Sequence, residues 1–291
     1  MDNSKYLIVN ADDYGRTPGV SKGIREAHLR GIITSTTVMM NMPGVEAELD
    51  LAAKDTPRLG LGVHLVLTSG APLLGSDAVS SITAGRDRFP TLAEFIETFG
   101  AVNVEQAAAE WDAQIRKFVK VTGRNPDHLD SHHHSSYFTE ALFEKMLTLA
   151  ALYHCPVRTL IEPEPASYNG LPEELWEGAK EYFPRLIRKF QAAVPDRFIG
   201  TFYDETATSE QLLEVLEHLE TGTSELMCHP GYTDDILLEG SVYNRQREHE
   251  LAILTSEDVR EAVKMRGIEL TNFRGLPQKP KMQPNDPPFA A

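Results

Sequence analysis

Short apolar runs alternate with helical patterns along this chain, and that alternation restricts its fold more than any other feature. Tyr6 to Val9 is continuously apolar, as expected of a strand covered on both faces. Pro18 to Arg30 follows, with Val20, Ile24, Ala27 and Leu29 at helical spacing. Thr17-Pro18 opens it as cap and first-turn proline, and Gly31 stops it. Further strands are predicted at Ile32 to Met40, Leu59 to Leu65, His128 to Asp130, Val157 to Ile161, Phe198 to Tyr203, Glu225 to Gly231 and Ile268 to Leu270. Between them fall helices at Val45 to Ala53, from Thr91, Val104 to Val121, Thr139 to Leu152, Glu173 to Ala193 (broken near Pro184) and Ser209 to Glu220. Two more are predicted at Arg245 to Leu254 and Glu257 to Met265. About eight strands in this order predict a parallel α/β fold, an irregular (β/α) TIM-like barrel, in one domain over residues 1–275. The end, 276–291, is rich in Pro, Lys and Gln and is predicted to be disordered. Thr68 to Pro90, rich in Gly, Ser and Pro, is expected to be a functional lid or a mobile loop, and Glu162 to Pro172 an acidic loop.

The ends of the predicted strands carry the chemistry. The first stops at Asp12-Asp13, two adjacent carboxylates that repel each other unless a positive group holds at least one ionised. The bland alternative is that they cap the helix that follows. His64 stands near the end of the third strand, His132-His133-His134 just beyond the fourth, and His229 at the end of the seventh. Parallel strands bring such ends to one face of a barrel, where catalysis sits. Each histidine alone has an ordinary structural reading; their recurrence at one structural position does not. Two histidines and a carboxylate form a ligand set for one catalytic divalent metal, with positions open for water and substrate. If the strand continues through the triplet, His132 and His134 share a face with Asp130, which can orient a ligand histidine. His132, nearest the strand end, is the first choice as ligand, and His134 is kept as a substrate contact. Arg158 either contacts the substrate or pairs with an acid. The loop aromatics Tyr137, Phe138, Tyr168 and Tyr232 could stack on a substrate ring, with ordinary packing the stronger reading for each.

Composition removes other classes. Lys+Arg 28 against Asp+Glu 43 leaves a net charge of −15, which argues against a nucleic-acid partner. Cys155 and Cys228 form no metal or redox motif and suit a reduced chain. No signal peptide and no membrane-length apolar run is evident, so a cytoplasmic protein that binds no membrane is expected.

Five stretches carry a family resemblance: Asn10-Ala11-Asp12-Asp13-Tyr14-Gly15, Thr34-Ser35-Thr36-Thr37, Gly62-Val63-His64-Leu65, His128 through His134, and Met227-Cys228-His229-Pro230. Together they resemble the YdjC-like carbohydrate deacetylases, which include chitooligosaccharide deacetylase. The resemblance implies an irregular barrel of the deacetylase type, one divalent metal (often magnesium) and removal of acetyl groups from N-acetylated sugars. It implies metal ligands Asp13, His64 and His132, with Asp12 as general base and His229 as general acid. Tyr14, a further candidate substrate contact, stands where the best-known members carry Phe. The ligand set also suits zinc, manganese, cobalt or nickel, and the resemblance points to a homodimer. The competing readings are another single-metal hydrolase acting on an amide or phosphoester, and a non-catalytic sugar-binding protein.

Overall fold

A computed structural model gives the architecture and describes residues 4–160 and 173–276. The segment 161–172, with Tyr168 and the expected acidic loop, and the tail from 277 onward lie outside the described residues. The elements run in order as β1 (Lys5–Tyr14), α1 (Pro18–Arg30), β2 (Ser35–Val38), α2 (Val45–Asp55) and β3 (Gly60–Leu65). Next come α3 (Ser80–Thr83), α4 (Leu92–Thr98), α5 (Val104–Thr122), β4 (Leu129–Ser131), α6 (Glu140–Tyr153) and α7 (Glu173–Phe190). The chain continues through β5 (Arg197–Ile199), α8 (Ser209–Glu217), β6 (Gly222–Cys228), α9 (Asp235–Gly240), α10 (Arg245–Leu254), α11 (Glu257–Met265) and β7 (Ile268–Thr271).

All strand pairings among the described residues are parallel, in the order β4-β3-β2-β1-β6-β5, with β7 also on β1. One edge of β1 is shared. Lys5 to Ile8 pairs with β7, and Asn10 to Tyr14 pairs with β2. Thr34 bridges that branch, its hydroxyl accepting the Val9 N–H and its own N–H donating to Val9 O. β3 is buried along its whole length and β1 from Leu7 onward, which explains their unbroken apolar runs.

The expected barrel is found as an open, curled sheet. The fifth predicted strand contributes a single parallel bridge, Leu129 to Val157, and among the described residues no ladder joins that segment to β5. Arg158 nevertheless proves the curl. In a flat sheet its segment would stand five strand spacings from β6, about 24 Å. Its Nε instead donates to Glu225 on β6 at 2.7 Å.

Two expectations about the connections are corrected. Thr68 to Pro90 is packed, with Val79, Ile82 and Phe89 buried, because α5 supplies anchors that the loop's own sequence does not reveal. Glu110 on that helix accepts the N–H groups of Leu73 and Leu74, and Gln106 accepts that of Ser81. Helix α7 runs through Pro184 rather than breaking there. Its buried face of Ala179, Phe183, Leu186, Ile187 and Phe190 outweighs the missing N–H and the ring clash. Cys155 and Cys228 are free thiols.

Candidate metal centre

Neighbouring residues in a regular strand point to opposite faces, yet Asp12 and Asp13 both line one pocket. The reason is a bulge. Between Ala11 and Tyr14 the register of β1 shifts against β2, and Asp13 takes a left-handed backbone with φ 71°. An extra residue in one strand re-aims a side chain in this way. Tyr14 is turned the other way. Its hydroxyl donates to Glu48 O at 2.6 Å and accepts from Arg25, so it is a packing residue away from the pocket.

The histidine triplet departs from the expected strand. β4 ends at Ser131, and His133 and His134 adopt left-handed conformations within a 3-10 turn. All three histidines line the same pocket, where alternation predicts two. Asp130 orients His64 rather than His132, because the parallel register sets those two side by side. His64 Nδ1 stands 2.6 Å from Asp130 Oδ1, and the Thr37 hydroxyl donates to Asp130 Oδ2 at 3.0 Å. With Nδ1–H donating to Asp130, the Nε2 lone pair faces the pocket.

Asp13 Oδ1, His64 Nε2 and His132 Nδ1 form a compact triangle with edges of 3.5, 3.1 and 3.3 Å. Ligand atoms about 2.1 Å from one ion, at angles between octahedral and tetrahedral, stand about 3.0–3.4 Å apart. Asp13 Oδ1 is buried and makes no hydrogen bond among the described residues. A divalent cation fits these three residues. The group Asp12, His64 and Asp130 also clusters, but Arg158 already occupies Asp12 and Asp130.

Burial pushes the Asp13 carboxyl up, but His132 and Arg247 reverse this and hold it well below the usual carboxylate range. Asp12 behaves alike: burial raises it, and Arg158 more than compensates. Arg158 grips both Asp12 oxygens at 2.7 Å and is fully buried, so it pairs with acids and does not line the pocket. One guanidinium faces three carboxyl groups there, and burial pushes Glu225, held only through Nε, up to about 8. His229 Nε2 lies 4.0 Å from Asp12 Oδ2, and burial lowers its pKa to about 4. His134, packed edge-on to Phe198, is lowered to about 3 by burial and stays neutral, fit to contact a ligand by hydrogen bonding.

Of the loop aromatics, the three among the described residues follow the packing reading and do not line the pocket. Tyr137 and Phe138 are core residues, and Tyr232 lies on the Lys22–Glu26 side of α1. Tyr203 and Tyr243 line the pocket instead, stacked at 4.5 Å with both edges toward His229. Arg247 and Glu250 were also missed. Glu250 accepts the His229 N–H at 2.5 Å and the Tyr243 hydroxyl, and Arg247 donates to Asp13. The available signal was a charged pair in the buried stripe that α10 shares with Leu251 and Leu254.

Known proteins share this chain's length and fold. A carbohydrate deacetylase of Enterococcus faecalis is 37% identical over 282 residues, covering 95% of this chain and 99% of that protein. One of Thermoanaerobacter pseudethanolicus is 36% identical, covering 92% and 98%. A solved structure described as a cellobiose-phosphate cleavage protein of Enterococcus faecalis V583 superposes with TM-score 0.80 at 36% identity, covering 93% of this chain and 98% of that one. The family model for YdjC-like protein matches residues 6–265, and with relatives this similar along nearly the whole length, the chain belongs to the YdjC-like family.

Proposed function

We propose that this protein is a metal-dependent carbohydrate N-deacetylase that hydrolyses an acetamide on an N-acetylated sugar or a short chitooligosaccharide-like chain. The observation that carries the reading is the triangle of Asp13, His64 and His132 in one pocket with an unligated acid, Asp12, and an imidazole, His229. The names of the relatives supply the substrate class. A divalent ion held by Asp13, His64 and His132, magnesium by family resemblance, would supply a Lewis acid for the acetyl carbonyl and make the attacking water more acidic.

The protein's own groups do the rest. Asp12 stays ionised beside Arg158 and accepts the water's proton at a fixed position. His229, uncharged at neutral pH because burial lowers it to about 4, takes up that proton from the Asp12 side and delivers it to the departing nitrogen. The balance is one water consumed, one C–N bond broken, and acetate and an amine released. Tyr203 and Tyr243, stacked on each other, supply apolar ring surface at the pocket wall, and His134 offers a neutral hydrogen-bonding nitrogen.

Metal removal tests the reading. Chelated protein should release no acetate from N-acetylglucosamine oligomers, and activity should return with added Mg²⁺, Mn²⁺, Co²⁺, Ni²⁺ or Zn²⁺. Acetate release that persists in the stripped protein defeats the proposal. Phosphate release from a sugar phosphate, with none of acetate, favours a phosphoesterase.

A further inference from the structure

Helix α10 puts a fixed positive charge against the single carboxylate of the metal triangle. Arg247 Nη2 donates to Asp13 Oδ2 at 2.6 Å, its Nε donates to Tyr243 O at 3.1 Å, and its side chain is 3% exposed. Asp13 is therefore divided. Oδ2 is committed to the guanidinium, and Oδ1 alone faces His64 Nε2 and His132 Nδ1. A carboxylate with both oxygens free can chelate a cation through both and fill two coordination positions. A strong charge-assisted bond on one oxygen opposes that.

We infer that Arg247 is a positioning residue that keeps Asp13 a one-oxygen ligand, leaving a coordination position for water or substrate; the inference rests on the metal-site reading above. Three features support this role over simple neutralisation. Neutralising Asp13 is the ion's own task, and a guanidinium nearby repels that ion, so stability alone does not call for one. Asp13 Oδ2 takes the guanidinium while the buried Oδ1 has no hydrogen-bond partner among the described residues. The same helix also holds the chain at His229, since Glu250 accepts the His229 backbone N–H and Arg247 O accepts the Gly231 N–H. One helix thus holds both the Asp13 carboxylate and the backbone beside it at His229 and Gly231.

The test compares wild-type protein, R247M, R247K and D13A, each loaded with Co²⁺. Binding is followed by calorimetry, coordination by visible absorption, and turnover with N,N′-diacetylchitobiose. In R247M, Co²⁺ should bind at least as tightly as in wild type, because repulsion is removed and a second oxygen is freed. Its visible absorption should weaken, as higher-coordinate Co²⁺ absorbs less, and kcat should fall tenfold or more with KM little changed. R247K, which keeps a charged donor, should stay closer to wild type in all three. Unchanged absorption and kcat in R247M overturns the inference, and so does weakened Co²⁺ binding, the mark of a structural prop. If R247M does not fold, R247Q carries the same comparison with a shorter, neutral donor. Equal Co²⁺ binding by wild type and D13A sinks the metal-site reading itself, whereas loss in D13A with an unaltered R247M sinks only the role of Arg247.

Discussion

Asp12 and Asp13 have the same side chain and adjacent positions, and their neighbours give them different work. Arg158 occupies both oxygens of Asp12, while Asp13 keeps Oδ1 free beside two imidazoles. Replacing Asp12 by Asn should therefore leave the ion bound and cut kcat by about 10²–10⁴-fold, the usual worth of a general base. Calorimetric metal titration alongside acetate release separates the two effects. A D12N protein that loses the metal would show that Asp12 is a ligand. The sequence already pointed to both residues as acids at a strand end. The family resemblance alone divided their roles; the physical reason for the division is Arg158, 146 positions away from Asp12.

At the scale of elements, each strand end needs a specific neighbour. An added Cβ at Gly62 on β3 would meet the His128 ring at 2.5 Å and its backbone oxygen at 2.7 Å. The ring is itself stacked on Phe273 at 3.6 Å, so it cannot swing aside. G62A should destabilise the protein by about 1–3 kcal/mol in denaturant unfolding and weaken the metal site through His64, two residues on. Helix α10 makes a prediction in pH. Burial raises Glu250 from 4.5 to about 7, so the folded state binds its proton more tightly than the unfolded chain does. Its contribution is complete below about pH 4.5 and is lost as pH rises through about 7. Wild type should thus lose stability relative to E250Q across that window, on the order of 3 kcal/mol in unfolding titrations. A parallel pH dependence in the two proteins would refute it.

At the scale of the whole molecule, the curl of the sheet and the buried charges depend on each other. Arg158, beside β4, reaches Glu225 on β6, Asp12 on β1 and Asp130 on β4. R158M strands these carboxyl groups in the interior without a cation. It should cost about 3–5 kcal/mol of unfolding free energy, measured in denaturant. A loss below about 1 kcal/mol would mean that the packed elements hold the curl without it. No helix among the described residues is long and apolar enough to cross a membrane.

By itself the sequence determined the order of elements, the parallel class and the strand ends where the chemistry sits. Local patterns control these: apolar runs, caps, and polar residues that interrupt a buried strand. The family resemblance in its motifs implied Asp13, His64 and His132 as ligands, and the structure brings these three into one triangle. Only the tertiary structure decided how neighbours share a face. Alternation along a regular strand misassigned the triplet, because His133 and His134 turn left-handed, and a bulge aims both aspartates the same way. It also decided that Tyr14 and Arg158 serve the scaffold, that Tyr203 and Tyr243 form a wall of the pocket, and that Arg247 meets Asp13 from 234 residues away. Those choices rest on contacts between distant segments, and periodicity along one segment carries no information about them.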